Sequence, residues 1–192
     1  AWLGAILTTL IVFVLSNDGN KIVVERLVLG GVAISSLFGA IQATLLLQAE
    51  DGRIQAALNW LIGSLNARGW QEIKFTFFPI LIALFVGLFL YRQLNLLSLG
   101  DELSVSLGTS LFRSRCLIGA IATLLAACAV SIGGLIGFIG LIVPHFSRLL
   151  IGNDFKYILP FSALMGALTL SSADLISRLG PIEIPVGIIT AL

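Results

Sequence analysis

The sequence has little charge. Asp, Glu, Lys and Arg make up 11% of its 192 residues against 58% hydrophobic, and the mean hydropathy is +1.07. So little polar surface cannot clothe a soluble globule of this size, so the chain reads as an integral membrane protein. The net charge of +1 provides neither a basic field nor an acidic tail, which argues against nucleic acid as a partner. Histidine occurs once, as His145, and cysteine twice, as Cys116 and Cys128 in one apolar stretch. Neither cysteine is spaced to share a metal with the histidine, and both read as small buried hydrophobes. HExxH and GxSxG are absent, and the carboxylates crowd at helix ends instead of facing one another within a helix. No catalytic residue, metal site or cofactor is expected. Without GxxxxGK[ST] the chain cannot hydrolyse ATP by the P-loop route. Its helix centres also lack the ionisable groups that ion-driven carriers hold near the bilayer midplane. Transport powered by a separate ATPase fits better than an ion-coupled secondary transporter or channel, which stays as the alternative.

What the chain does have is long apolar runs separated by short charged knots. That pattern predicts an all-α, polytopic transmembrane helical bundle and argues against the two-residue period of a barrel. About six to seven membrane helices are expected. Residues 1–16 form the tail of one, closed by the turn-forming "NDGNK"; 27–47 and 75–91 are further spans. Residues 116–147 carry no formal charge and are too long for one span. Glycines at 133, 134, 137 and 140 predict two helices joined by a bent or unwound segment. A span over 157–173 follows, and residue 184 begins the last. The sequence opens and stops within apolar runs, which reads as an internal piece of a longer permease-like chain forming one domain over 1–192.

Threading these helices alternately through a bilayer puts Lys21, Arg26, Arg92, Arg113, Arg115, Arg148 and Lys156 on one side, and Arg53, Arg68, Lys74 and Arg178 on the other. The excess marks the first side as cytoplasmic. Outside, residues 49–74 carry Trp60 and Trp70 among polar residues, which suits a short helix anchored at the interface. Inside, "RQLNLLSLGDELSVSLGTSLFRSR" starts a helical turn at Asp101 and Glu102, with Leu99, Leu103 and Leu107 recurring every four positions. That stripe either packs on the ends of its own membrane helices or docks a cytoplasmic protein. Small residues in "LGGVAISSLFGA", "LMGALTLSSAD" and "GGLIGFIG" let backbones approach closely, or let a pathway wall slide. In "GLIGFIGLIVPHFSR", Pro144 frees a backbone carbonyl one turn earlier. His145, near the inner end of that helix, can bond such a carbonyl or take part in transmitting movement.

"GFIGLIVPHFSRLLIGNDFKYILPFSALMGALTLSSADLISR", followed by "EIPVGIITAL", resembles the C-terminal part of FecCD-type permeases. These are the transmembrane subunits of bacterial importers for iron–siderophore complexes, haem and vitamin B12. "NLLSLGDELSVSLG" and "LNWLIGSLNARGW" are similar to that family's cytoplasmic loop and preceding outer segment, so the resemblance runs collinearly through the chain. It implies a ten-helix subunit in the bacterial inner or plasma membrane, of which this chain covers roughly the fourth helix to the start of the tenth. It also implies partners: cytoplasmic ABC ATPase subunits, an extracytoplasmic substrate-binding protein, a second permease subunit in a homo- or heterodimer, and membrane lipid.

Carried over residue by residue, the resemblance implies three sites. Residues 94–111 would be the coupling helices seated in a cleft of the ATPase, with Leu99, Gly100, Asp101, Glu102, Leu103, Leu107 and Gly108 at turn and contact positions. Arg178 matches a position where the family meets a glutamate of the binding protein. Val24 and Glu25 fall at the inner gate, although Val24 departs from the small polar residues common there. Gly137, Gly140, Pro144, His145 and Arg148 form the family-marking bend. The implied cargo is an iron(III)–siderophore complex, or haem or cobalamin.

Overall fold

Helices fill almost all of the computed structural model, which describes residues 2–18, 21–49, 51–66, 69–179 and 185–191. In order they are α1 (Trp2–Ser16), a hairpin of β1 (Asn17–Asp18) and β2 (Lys21–Ile22), α2 (Val24–Leu47), α3 (Asp51–Ile62), α4 (Trp70–Phe89), α5 (Tyr91–Leu97), α6 (Asp101–Ser106), α7 (Leu111–Gly133), α8 (Ile139–Ile151), α9 (Phe155–Ser177) and α10 (Val186–Ile189). The hairpin strands are antiparallel, with Asn17 opposite Ile22. The start of the last predicted helix at residue 184, Arg68 and Glu50 lie outside the described residues.

The predicted all-α bundle is what the chain forms. Among the described residues, α2, α7 and α9 are long and apolar enough to cross a membrane; at 1.5 Å per residue each spans about 35 Å. The pair α4 and α5 passes the same test together, bent by 53°. Helices α1 and α8 are apolar but shorter, at 15 and 13 residues, so the expected count of six to seven is approximate. The predicted break in the 116–147 run falls at residues 134–138, between α7 and α8.

The packing is that of a protein whose solvent is lipid. Side chains at helix contacts are small: Ser16, Ala83, Ala127, Cys128, Ser147, Ala173 and Ser177 are buried, while Leu3, Leu47, Phe75, Leu141 and Leu164 stand exposed. With lipid as apolar as leucine, helices associate through close backbone approach and interhelical hydrogen bonds. Thr9 and Thr123 make such a bond at 3.0 Å between α1 and α7, and Ser162 Oγ donates to Ser147 Oγ at 2.9 Å between α9 and α8. The buried hydroxyls of Ser16, Ser147 and Ser177 also donate to carbonyls three or four residues earlier, so each keeps a partner. Helix α7 packs against α1 and α4, and α9 against α8, α4, α5 and α10. The hairpin, the α5–α6 loop and the α8–α9 turn gather at one end; α3, the α7–α8 break and α10 gather at the other.

Candidate functional site

The α5–α6 loop is a folded elbow, two helices where the sequence suggested one. Gly100 and Gly108 carry φ of +96° and +82°, a region other residues rarely enter, and so set the turns on either side of α6. Between them the fully buried Ser104 donates to the carbonyls of Leu96 and Gly100, both at 2.6 Å, which holds α6 against α5. Asp101, in the first turn of α6, takes a 2.6 Å salt bridge from Arg115 of α7. The carboxylates of Asp101 and Glu102 also sit where the positive end of a helix favours them. With the elbow so braced, Leu99, Leu103 and Leu107 are 53%, 57% and 59% exposed. The stripe therefore does not pack on the ends of its own membrane helices.

A second tie joins the elbow to α9. Asn95 Nδ2 donates to Asp154 Oδ1 at 2.7 Å, and Asn95 Oδ1 accepts from the Phe155 amide at 3.0 Å. Asp154 is the N-cap of α9 and also accepts from the Lys156 amide at 2.9 Å. The Asn95 bond first, and the Lys156 amide second, hold its carboxyl below the usual aspartate range. The Phe155 ring lies under the Arg148 guanidinium of α8, 5.5 Å from its centroid. Sequence reasoning missed Asn95, Asp154 and Phe155. "GND" before an apolar run is an N-cap signal that marks Asp154, but nothing in the sequence pairs it with a residue 59 positions earlier.

The family-marking bend divides in two. Gly137 and Gly140 have open space where a side chain would go, and neither takes a positive φ. The constraint falls instead on Gly134 at φ +73° and on Phe138 at φ +64°. At Gly134 an added Cβ would meet the Trp60 carbonyl, at Gly63 the Leu135 carbonyl, and at Gly187 the Ile62 carbonyl. Backbone bonds Ser64 N–H to Gly133, Leu135 N–H to Trp60 and Gly187 N–H to Gly63 close this knot of three segments at 2.9, 3.4 and 3.1 Å. His145 is exposed on α8, and among the described residues no hydrogen bond to it is found.

Val24 and Glu25 open α2 beside the hairpin, and Val24 lines a cleft of about 1110 Å³ between α1, α2 and α7. Thr8, Ser35, Gln42 and Arg115 are among its few polar walls. At the opposite end of α9, Arg178 is held in a fork by Asp174, with Nε to Oδ2 at 3.0 Å and Nη2 to Oδ1 at 3.1 Å. The elbow, Arg178 and the gate positions are thus separate places on the molecule, not one converging site.

The FecCD transport family profile matches residues 1–192. The cobalamin import system permease protein BtuC of Halobacterium salinarum is 38% identical over the whole of this chain, which covers 52% of that protein. The hemin transport system permease protein HmuU of Yersinia pestis is 38% identical, with 58% of it covered, and the Fe(3+)-citrate import system permease protein YfmE of Bacillus subtilis is also 38% identical, with 58% covered. The chain spans a little over half the length of these relatives. A solved structure described as an inward-facing conformation of a metal-chelate type ABC transporter superposes with a TM-score of 0.90 at 34% identity, over 97% of this chain and 60% of that one. Collinear motifs, helix order and superposition agree, and the chain belongs to the FecCD transport family.

Proposed function

We propose that this chain is the permease part of an ATP-binding-cassette importer in the cell membrane, the inner or plasma membrane of a bacterial host. It would form one wall of the pathway for iron(III)–siderophore complexes, with haem and cobalamin as the alternatives. The substrates in the relatives' names, cobalamin, hemin and Fe(3+)-citrate, support bulky chelates as the class. The observation that carries the reading is the elbow. Residues 94–111 present three half-exposed leucines on a frame braced by Ser104 and Asp101, which suits a docking surface for a separate cytoplasmic ATPase.

The cycle follows from that placement. A loaded binding protein docks outside, where Arg178 contributes one contact, and releases its chelate at the interface of two permease subunits. ATP-driven closure of the ATPases displaces the elbows, and the elbows lever the helices that they grip. The chain supplies walls and levers and makes or breaks no bond.

Two measurements test this. In the full-length complex, Leu103→Asp with Leu107→Asp should abolish co-purification of the ATPase while the permease stays folded in the membrane, since both side chains are exposed and surface changes usually cost within about 0.5 kcal/mol. Retained ATPase binding would count against the docking assignment. Competition uptake with ferric siderophore, haemin and cobalamin then assigns the cargo. Uptake driven by a proton or sodium gradient after loss of the ATPase would favour the secondary-carrier alternative.

A further inference from the structure

The elbow is joined to the membrane helices through Asp101 and Arg115 and, separately, through Asn95, and the Asn95 link is built in a particular way. Asn95 turns both ends of its amide to α9, giving one hydrogen bond to the Asp154 carboxylate and taking one from the Phe155 backbone. Those two residues are the N-cap and first residue of α9, where backbone N–H groups have no partner within the helix. Asn95 is therefore a cap supplied from another helix. Phe155 carries the contact further, because its ring lies beneath Arg148 in the last turn of α8. Helices α8 and α9 are then joined along their length by the bond between Ser162 and the buried Ser147.

We propose that Asn95 is a positioning residue that couples the elbow to the α8–α9 pair, through Asp154 and Phe155 to Arg148, so that a displacement of α5 turns α8 and α9 as one body. The proposal rests on the permease reading given above. It assigns a role to the Arg148 side chain, which the "PHFSR" motif singles out and which no side-chain hydrogen bond among the described residues explains. The Asp101–Arg115 bridge leads elsewhere, into α7 and the α1–α2 cleft, so one elbow drives two groups of helices by separate links.

The test exchanges the two partners in the intact permease–ATPase complex in proteoliposomes. Asn95→Asp sets two carboxylates against each other where the native pair stands 2.7 Å apart. Adding Asp154→Asn removes the repulsion and lets the new amide donate to the new carboxylate, which still accepts from the Phe155 amide; the Lys156 amide, whose acceptor was the same Asp154 Oδ1, loses its partner. Transport per ATP hydrolysed is read with radiolabelled ferric citrate, haemin and cobalamin, using whichever probe the unaltered complex carries. The single variant should lower that ratio about tenfold, the equilibrium equivalent of one hydrogen bond to a charged group, and the exchanged pair should recover part of it. A second construction replaces both residues by cysteine on a background lacking Cys116 and Cys128 and ties them with a short bifunctional thiol reagent. The untied complex should be impaired and the tied one should transport, because the link stays closed through the cycle. Loss of transport on tying, or a normal ratio in folded Asn95→Asp, overturns the relay and leaves the permease reading standing. If the unaltered complex carries none of the three probes on ATP, the permease reading fails and the relay with it.

Discussion

Arg115 Nη2 lies 2.6 Å from Asp101 Oδ1 and so pins the first residue of α6 to the second turn of α7. The arginine side chain is 15% exposed and the aspartate 52%, so the pair sits at the margin between solvent and the cleft that Arg115 helps line. A half-screened pair of this kind contributes on the order of 1 kcal/mol, too little to decide whether the chain folds but enough to bias a lever. Arg115→Gln should leave the amount of folded protein near normal and lower transport per ATP. The exchange Asp101→Arg with Arg115→Asp should recover part of it. Parallel assays of ATP hydrolysis and uptake read both effects, and an unchanged ratio in Arg115→Gln would remove the pair from the mechanism.

The glycine knot predicts a contrast within one motif. Gly134→Ala places a Cβ against the Trp60 carbonyl at a φ of +73°, and Gly187→Ala drives one into the Ile62 carbonyl. Neither obstacle is a side chain that can swing aside. At Gly134 the left-handed φ costs a side chain on the order of 1–3 kcal/mol as well, while at Gly187 the overlap with backbone carries the penalty, so both variants should lose folded protein and melt earlier. Gly137→Ala and Gly140→Ala meet nothing, and Gly140→Ala should gain about 0.5–1 kcal/mol from helix propensity. Thermal melting in detergent separates the two groups.

These glycines also mark how far the sequence could be read. Apolar run lengths gave the helices because each run of about 20 residues must satisfy its backbone internally in lipid. The break between α7 and α8 was legible because four glycines interrupt a charge-free stretch. Which of the four is constrained was not, because close approach is a property of the partner: Gly134 is tight on account of Trp60, 74 positions away on α3. The elbow's leucine repeat was legible as a stripe, and whether it packs inward or faces outward depended on Ser104 and Arg115 holding α6 in place. Long-range polar pairs such as Asn95–Asp154 leave no periodic trace at all.

Asp154 gives the turn between α8 and α9 a pH dependence. Its carboxyl is held below the usual aspartate range, by Asn95 first and then by the Lys156 amide. A depressed folded value means that the contribution is complete above the unfolded pKa and is lost as pH falls through the folded one. The loss should therefore appear only on the acid side of the ordinary aspartate range. Asn95→Ala removes the largest cause, so less stability should be lost as pH falls through this window, and the loss should be complete at a higher pH. Melting temperature followed against pH for the two proteins shows the shift, and superimposable curves would mean that the bond does not form in solution. Because Asp154 is exposed, the change should be small and weakened by salt.

Arg178, the residue proposed above for docking, is already engaged. Asp174 grips it from one turn earlier with two hydrogen bonds, at 3.0 and 3.1 Å, and an exposed pair at this spacing contributes about 0.3–0.5 kcal/mol. Under the proposed reading, a carboxylate on a binding protein would have to compete with Asp174 for the same fork. Asp174→Asn weakens the competitor while keeping its shape, and should tighten docking by about twofold, the equivalent of that pair energy. Arg178→Glu should weaken docking and make it recoverable by a basic residue on the partner. Binding-protein affinity measured on nanodiscs at low and moderate salt distinguishes the cases, because a rim charge acts largely through steering and loses its effect as salt rises. Equal affinity in all three proteins would place the docking contact elsewhere on this face.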